Sequence, residues 1–154
     1  MSAALDSQEV VSVVLSGGIV VARTDTIYGL LARAQNEVAV AKIFDNKKRQ
    51  QENTAIVLIS STDQLFDAPD QDFSYFWPGP NSLVLPAPSA PDWIRRSDNT
   101  VAYRMPNLPA LQSLIQKTGP LIAPSANPEG LLPATTIIEA ENYFGSAVDM
   151  YIGK

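Results

Sequence analysis

Between Gly17 and Arg49 the chain changes character repeatedly within one short stretch, and that succession restricts the fold more than any other feature. Gly17-Gly18 precede an apolar run, Ile19-Val20-Val21-Ala22, which stops at a polar knot, Arg23-Thr24-Asp25-Thr26. Ile27-Tyr28-Gly29-Leu30 follows, then a helical segment from Asn36 to Phe44, then the cations Lys47-Lys48-Arg49. A short apolar run that ends in hydroxyls and a carboxylate reads as a buried strand with its polar end at the carboxyl edge of a sheet. Open α/β sheets bind their ligands at that edge. Hydroxyls, a carboxylate and a group of cations together suit a small anionic ligand such as a phosphate.

The remaining sequence alternates in the same way. Ser7 is placed to cap a helix through Leu15, closed by Gly17, although its valines would also suit a strand. Asn36 caps the next helix, with Lys47-Lys48 just past its end, as the helix dipole favours. Ala55–Ile59 is a continuous apolar run and reads as a central strand. A short helix starts at Thr62 or Asp63, and Trp77-Pro78-Gly79-Pro80 reads as a rigid turn. Strands are expected at Leu83–Leu85, Thr100–Met105, Leu121–Ala123 and Val148–Ile152. Asn107 is the expected cap of a helix ended by Gly119, and Thr136 with Glu139 forms a capping box for another. The pattern predicts a single α/β domain over residues 1–154, a mixed sheet with flanking helices.

Composition enters through what is missing. The chain has no histidine and no cysteine. That removes Ser-His-Asp and Cys-His catalysis, disulfides and any ordinary zinc site, so no protein-held metal is expected. Chemistry must rest on Lys, Arg, Asp, Glu, Ser, Thr and Tyr. No apolar run is long enough to span a bilayer, so no membrane partner is expected and a cytoplasmic location fits. A net charge of −5 argues against a broad nucleic-acid surface. The cations are nonetheless grouped, and 55–91 has neither Lys nor Arg, so a local basic pocket on an acidic protein is the expectation.

Several motifs occur in a fixed order: Thr24-Asp25-Thr26-Ile27-Tyr28-Gly29, Lys47-Lys48-Arg49, Phe76-Trp77-Pro78-Gly79-Pro80, Thr100-Val101-Ala102-Tyr103-Arg104, Leu121-Ile122-Ala123-Pro124-Ser125-Ala126-Asn127 and Pro133-Ala134-Thr135-Thr136. Together they resemble the YrdC/TsaC family, the threonylcarbamoyl-AMP synthases, over nearly the whole chain. The resemblance implies a twisted sheet with a concave basic cleft. It also implies formation of threonylcarbamoyl-adenylate from L-threonine, bicarbonate and ATP, with pyrophosphate released. The product would serve transfer RNA modification, with tRNA or a modification protein as partner, and double-stranded RNA binding is implied too.

Residue by residue, the resemblance implies Lys47 and Arg49 as catalytic, phosphate-binding cations. Thr24 would contact the threonine substrate and Arg104 would clamp its carboxylate. Thr100, Ser125 and Asn127 would join Lys47 and Arg49 around the nucleotide. Magnesium would arrive on the phosphates. The bland alternatives are a solvated helix end for Lys47-Lys48-Arg49, a strand-end cap for Thr24 and Thr26, a structural salt bridge for Arg104 and a plain polar turn for Ser125 and Asn127.

The sequence departs from the family pattern at Arg23, Leu31, Gln50 and Asn53-Thr54, and at Pro124, which stands where the family has a hydroxyl. The family also continues, past the strand matching Val148–Ile152, into a Ser-Thr-containing strand. If Lys154 is the natural end, the expectation is weak ATP binding, slow or no formation of the adenylate, and self-association, as a homodimer, through Val148–Ile152. The alternative function is a non-catalytic nucleotide- or RNA-binding paralogue of the same fold.

Overall fold

The computed structural model describes residues 4–48, 55–67 and 69–153. Arg49, Gln50, Asn53 and Thr54 lie outside the described residues. The elements run α1 (Gln8–Leu15), β1 (Val20–Arg23), β2 (Tyr28–Arg33), α2 (Glu37–Lys47), β3 (Val57–Leu58), β4 (Leu83–Pro86), β5 (Thr100–Arg104), α3 (Pro109–Thr118), β6 (Leu121–Ile122), α4 (Ile137–Phe144) and β7 (Met150–Tyr151). A turn of 3-10 helix at Thr62–Gln64 stands where a short helix is expected.

The strands form one mixed sheet in the order β4-β5-β3-β6-β2-β1-β7. β1 pairs antiparallel with β2 and parallel with β7, β3 pairs parallel with β5, and β6 runs antiparallel between β2 and β3. Alternation along the strands sorts the core into two layers. Val21, Leu30, Ala32, Val57 and Tyr103 pack with residues of α2 and α4 on one face. Val20, Ala22, Leu31, Leu58 and Leu121 pack with α1 and α3 on the other.

The helix starts follow the capping chemistry. The Ser7 hydroxyl accepts from Val10 N, the Asn36 side chain from Ala39 N, and the Thr136 hydroxyl from Glu139 N. The return leg of the box lands one residue early, because the Glu139 carboxylate accepts from Thr135 N rather than Thr136 N. Asn107 is not the cap of α3. That place belongs to Leu108, with Pro109 opening the helix and no side-chain cap bond. Proline suits the first helical position because it lacks the N–H that a cap would satisfy.

Two differences bear on the site. Residues 28–33, to which the sequence reading assigns no strand, form β2, so the polar knot is the turn of a hairpin and not the run-up to a helix. And α2 continues through Lys47, closing on Lys48 in the left-handed conformation (φ 57°). Lys47 is thus the last residue of a packed helix, not the first of a solvated tail.

Candidate functional site

β1 and β6 both end at the same edge of the sheet, with β2 running back between them. Beyond β1 lies the turn 24–27, and beyond β6 the segment Ala123-Pro124-Ser125. Gly29 bridges to Ser125, Leu30 N donates to Pro124 O and Ala126 N donates to Tyr28 O, so the two segments meet across the start of β2. A Cβ at Gly29 would lie 3.4 Å from both Pro124 O and Thr24 Cγ2. Hairpin and loop thus meet at ordinary contact distance across Gly29. The result is a cleft of about 260 Å³ lined by Thr24, Thr26, Ile27, Gly29, Ala55, Ile56, Arg104, Ala123, Pro124 and Ser125. It is slightly smaller than the roughly 300–1,000 Å³ usual for drug-sized ligands, and suits a ligand of amino-acid size.

The hydroxyls of the cleft are already organised. Thr24, only 6% exposed, donates from Oγ1 to Ile27 O at 2.7 Å and accepts from the Thr26 and Ile27 amides. That pattern closes the hairpin turn, a local side-chain mimic of backbone bonding. The Thr24 and Thr26 hydroxyls lie 3.1 Å apart. The Ser125 hydroxyl bonds Asn127 Oδ1. With its proton committed, Ser125 offers a ligand mainly acceptor lone pairs.

Arg104 is the cation of the cleft. It is 7% exposed. Its Nη2 lies 3.3 Å from Asp25 Oδ1, with both side chains 9% exposed, and donates a long 3.4 Å bond to Thr26 Oγ1. Among the described residues neither Arg104 Nε nor Asp25 Oδ1 completes a hydrogen bond. Arg104 Nε is closed off from solvent, while the side chain lines the cleft; a guanidinium's planar fork of donors matches a carboxylate. The pairing with Asp25 agrees with the structural salt-bridge reading of Arg104.

Lys47 stands elsewhere. It is 1% exposed, and its Nζ donates to the backbone carbonyls of Ser125 and Asn127 and, at 3.4 Å, to Asn127 Oδ1. The Lys47 carbonyl in turn accepts from Glu129 N at 2.7 Å. The end of α2 is thus pinned to the loop carrying Ser125, and Lys47 is not among the residues lining the cleft. The solvated-helix-end reading of Lys47 does not hold. The Asn127 amide nitrogen bonds Pro128 O and Leu131 O, so its side chain shapes the loop.

Of the sequence-derived candidates, the structure brings Thr24, Arg104 and Ser125 to the cleft, with Lys47 and Asn127 behind its loop; Arg49 lies outside the described residues. Thr100 opens β5, roughly 13 Å along the strand from Arg104, and does not line the cleft. Its hydroxyl bonds the Asp98 carboxylate and holds that carboxyl below its ordinary pKa. Sequence reasoning placed Thr26 in the polar knot at the ligand edge but gave it no individual role; it missed Gly29, Ala55 and Ile56 as lining residues and Asp25 as the partner of Arg104. The signal for Asp25 was its place in the polar knot; nothing in the sequence tied it to Arg104.

A family model described as telomere recombination, Sua5/YciO/YrdC, matches residues 12–154. The chain belongs to the Sua5/YciO/YrdC family. Threonylcarbamoyl-AMP synthase of Marinobacter nauticus is 32% identical over 90% of this chain and 78% of its own length. The Pseudomonas aeruginosa protein of the same name is 35% identical over 92% and 80%. Among solved structures, P. abyssi Sua5 complexed with L-threonine superposes with a TM-score of 0.85 at 33% identity, over 96% of this chain. The chain spans 46% of that Sua5 protein. E. coli YciO, at 20% identity and a TM-score of 0.79, shares the fold.

No helix of the described residues is long and apolar enough to cross a membrane.

Proposed function

We propose that this chain forms threonylcarbamoyl-adenylate from L-threonine, bicarbonate and ATP. The observation that carries the reading is the largely buried side chain of Arg104 lining a cleft of amino-acid size. The relatives' names and the L-threonine complex of Sua5 support it.

On this reading the threonine carboxylate pairs with the Arg104 guanidinium alongside Asp25, while Thr26 and Ser125 accept from its amine or hydroxyl. The uncharged amine adds to carbon dioxide, supplied by bicarbonate, and loses a proton to give the carbamate. A carbamate oxygen then attacks the α-phosphorus of ATP and pyrophosphate leaves. Threonine, bicarbonate and ATP thus become the adenylate, pyrophosphate and water. The chain contributes positioning and charge stabilisation. Apolar walls from Ile27, Ala55, Ile56, Ala123 and Pro124 limit water around the reactive carbamate.

Among the described residues no cation stands free in the cleft to meet a triphosphate, since the Lys47 ammonium is turned to carbonyls and Arg104 faces Asp25. Arg49 is assigned to the phosphates on the family resemblance, and Lys47 to holding the Ser125 loop beneath them. No group of three or more Asp or Glu side chains gathers among the described residues, so magnesium belongs to the nucleotide on this reading. Use of the product in transfer RNA modification, contact with tRNA or double-stranded RNA, and a cytoplasmic location go with the same reading.

The second reading, a binding module without turnover, is favoured by the commitment of Lys47 to the loop. Mass detection of threonylcarbamoyl-adenylate after incubation with ATP, L-threonine and labelled bicarbonate separates the two. Labelled product supports synthesis; threonine and ATP binding with no product supports the module.

A further inference from the structure

We propose that Asp25 acts as a charge filter on Arg104, tuning this end of the cleft to a carboxylate and against a doubly charged phosphate or phosphonate. The inference rests on the reading of Arg104 as the carboxylate site. Asp25 is held by the turn 24–27, whose geometry is fixed by the Thr24 hydroxyl. Its carboxylate stands 3.3 Å from Arg104 Nη2, at 9% exposure, and does not line the cleft itself. It therefore touches no ligand and acts through Arg104 as a positioning, specificity-determining residue.

The physical argument is a count of charge in a place with little water. Arg104 and Asp25 together are neutral. A monocarboxylate brought to the guanidinium leaves the group at one negative charge, with both carboxylates bonded to one cation. A phosphate dianion leaves it at two, beside a buried carboxylate already paired with the same guanidinium. Like charges placed together in a desolvated site cost far more than in water. The partition also has a use: a synthase holding an amino acid beside a polyphosphate must keep the phosphates off the amino-acid site, and an unpaired arginine there would attract them.

The test compares L-threonine with its phosphonate analogue, (1-amino-2-hydroxypropyl)phosphonic acid, by calorimetric titration of the wild-type chain, Asp25→Asn and Asp25→Glu. The wild type should prefer carboxylate to phosphonate dianion by at least about tenfold. Asp25→Asn should shrink that preference about tenfold or more by gaining phosphonate affinity, and Asp25→Glu, which keeps the charge, should retain it. In turnover assays Asp25→Asn should show phosphonate inhibition competitive with threonine, a rise in threonine KM in its presence with kcat unmoved. Because Asp25→Asn leaves Arg104 uncompensated and could unfold the chain, a second measurement needs only the wild type. Its phosphonate affinity should fall as pH rises through the ligand's second ionisation, near pH ~6 for phosphate-like groups, while threonine affinity holds. Equal preference in wild type and Asp25→Asn, or a wild type whose phosphonate affinity is flat across that ionisation, overturns the filter. A wild type that binds neither ligand overturns the reading of Arg104 beneath it.

Discussion

The ammonium of Lys47 lies 2.7 Å from the backbone carbonyl of Asn127, eighty residues further along the chain. The contact turns a charged helix end into the brace of the loop that carries Ser125 into the cleft. A lysine so placed does for the loop what a cap does for a helix: it satisfies carbonyls that have no partner in regular structure.

Lys47→Met should therefore destabilise the fold as well as alter ligand binding, against the small cost the sequence alone suggests. Losing charge-assisted bonds to buried carbonyls costs about 3 kcal/mol, which lowers the melting temperature of a domain of this size by roughly 6–12 °C. Differential scanning calorimetry reads it. A midpoint within a degree of wild type would mean that the brace is not formed in solution.

Arg104→Lys keeps the charge facing Asp25 but loses the planar fork. L-Threonine affinity should fall roughly 10- to 100-fold, the worth of one strong bond to a charged acceptor. Titration calorimetry checks it, and unchanged affinity would move the carboxylate site away from Arg104.

Thr24 supplies a third separation. Its hydroxyl closes the turn through Ile27 O and the Thr26 and Ile27 amides. Thr24→Val should cost about 1–2 kcal/mol, and Thr24→Ser, which keeps the hydroxyl, should stay within about 0.5 kcal/mol of wild type. Chemical denaturation of the two side by side gives the answer. Equal stability of both variants would free the hydroxyl for direct substrate contact.

What was legible in the sequence divides along the range of the forces involved. Ser7, Asn36 and Thr136 announce their helices because capping is settled within three residues. The apolar runs at 19–22, 55–59 and 121–123 announce strands that have a neighbour on both sides in the sheet, although each strand proper is short. β2 was not legible, because Thr24–Ile27 carries neither glycine nor asparagine to mark a hairpin. The turn is made instead by one threonine side chain. The convergence of Thr24 and Ser125 followed from placing hydroxyls at strand ends, and Arg104 joined them on the family resemblance. The burial of Lys47 and the pairing of Asp25 with Arg104 did not follow, since both depend on partners about eighty residues away.

Alkaline pH should weaken the fold through Tyr103 and Tyr151. Burial, and secondarily the Asp67 charge, raises the Tyr103 pKa; burial and then Glu141 raise that of Tyr151. Below about pH 10, the ordinary tyrosine value, both phenols are protonated in folded and unfolded chains and the contribution is complete. Above it the unfolded chain loses these protons first, so stability declines as pH rises towards the folded values. Tyr151→Phe should flatten that decline in a series of melts from pH 8 to 11. Tyr103→Phe should flatten it too, from a starting stability lowered by about 1 kcal/mol, because Phe66 N loses its acceptor. A wild-type midpoint that stays level relative to both variants across that series would contradict the assignment.

The most direct test of the account is pyrophosphate released from ATP by the purified chain, measured with L-threonine and bicarbonate present together and with each withheld. The account predicts release that requires both co-substrates and is abolished or reduced at least tenfold in Arg104→Lys at sub-saturating threonine. Release that ignores threonine, or none with every substrate present, would contradict it.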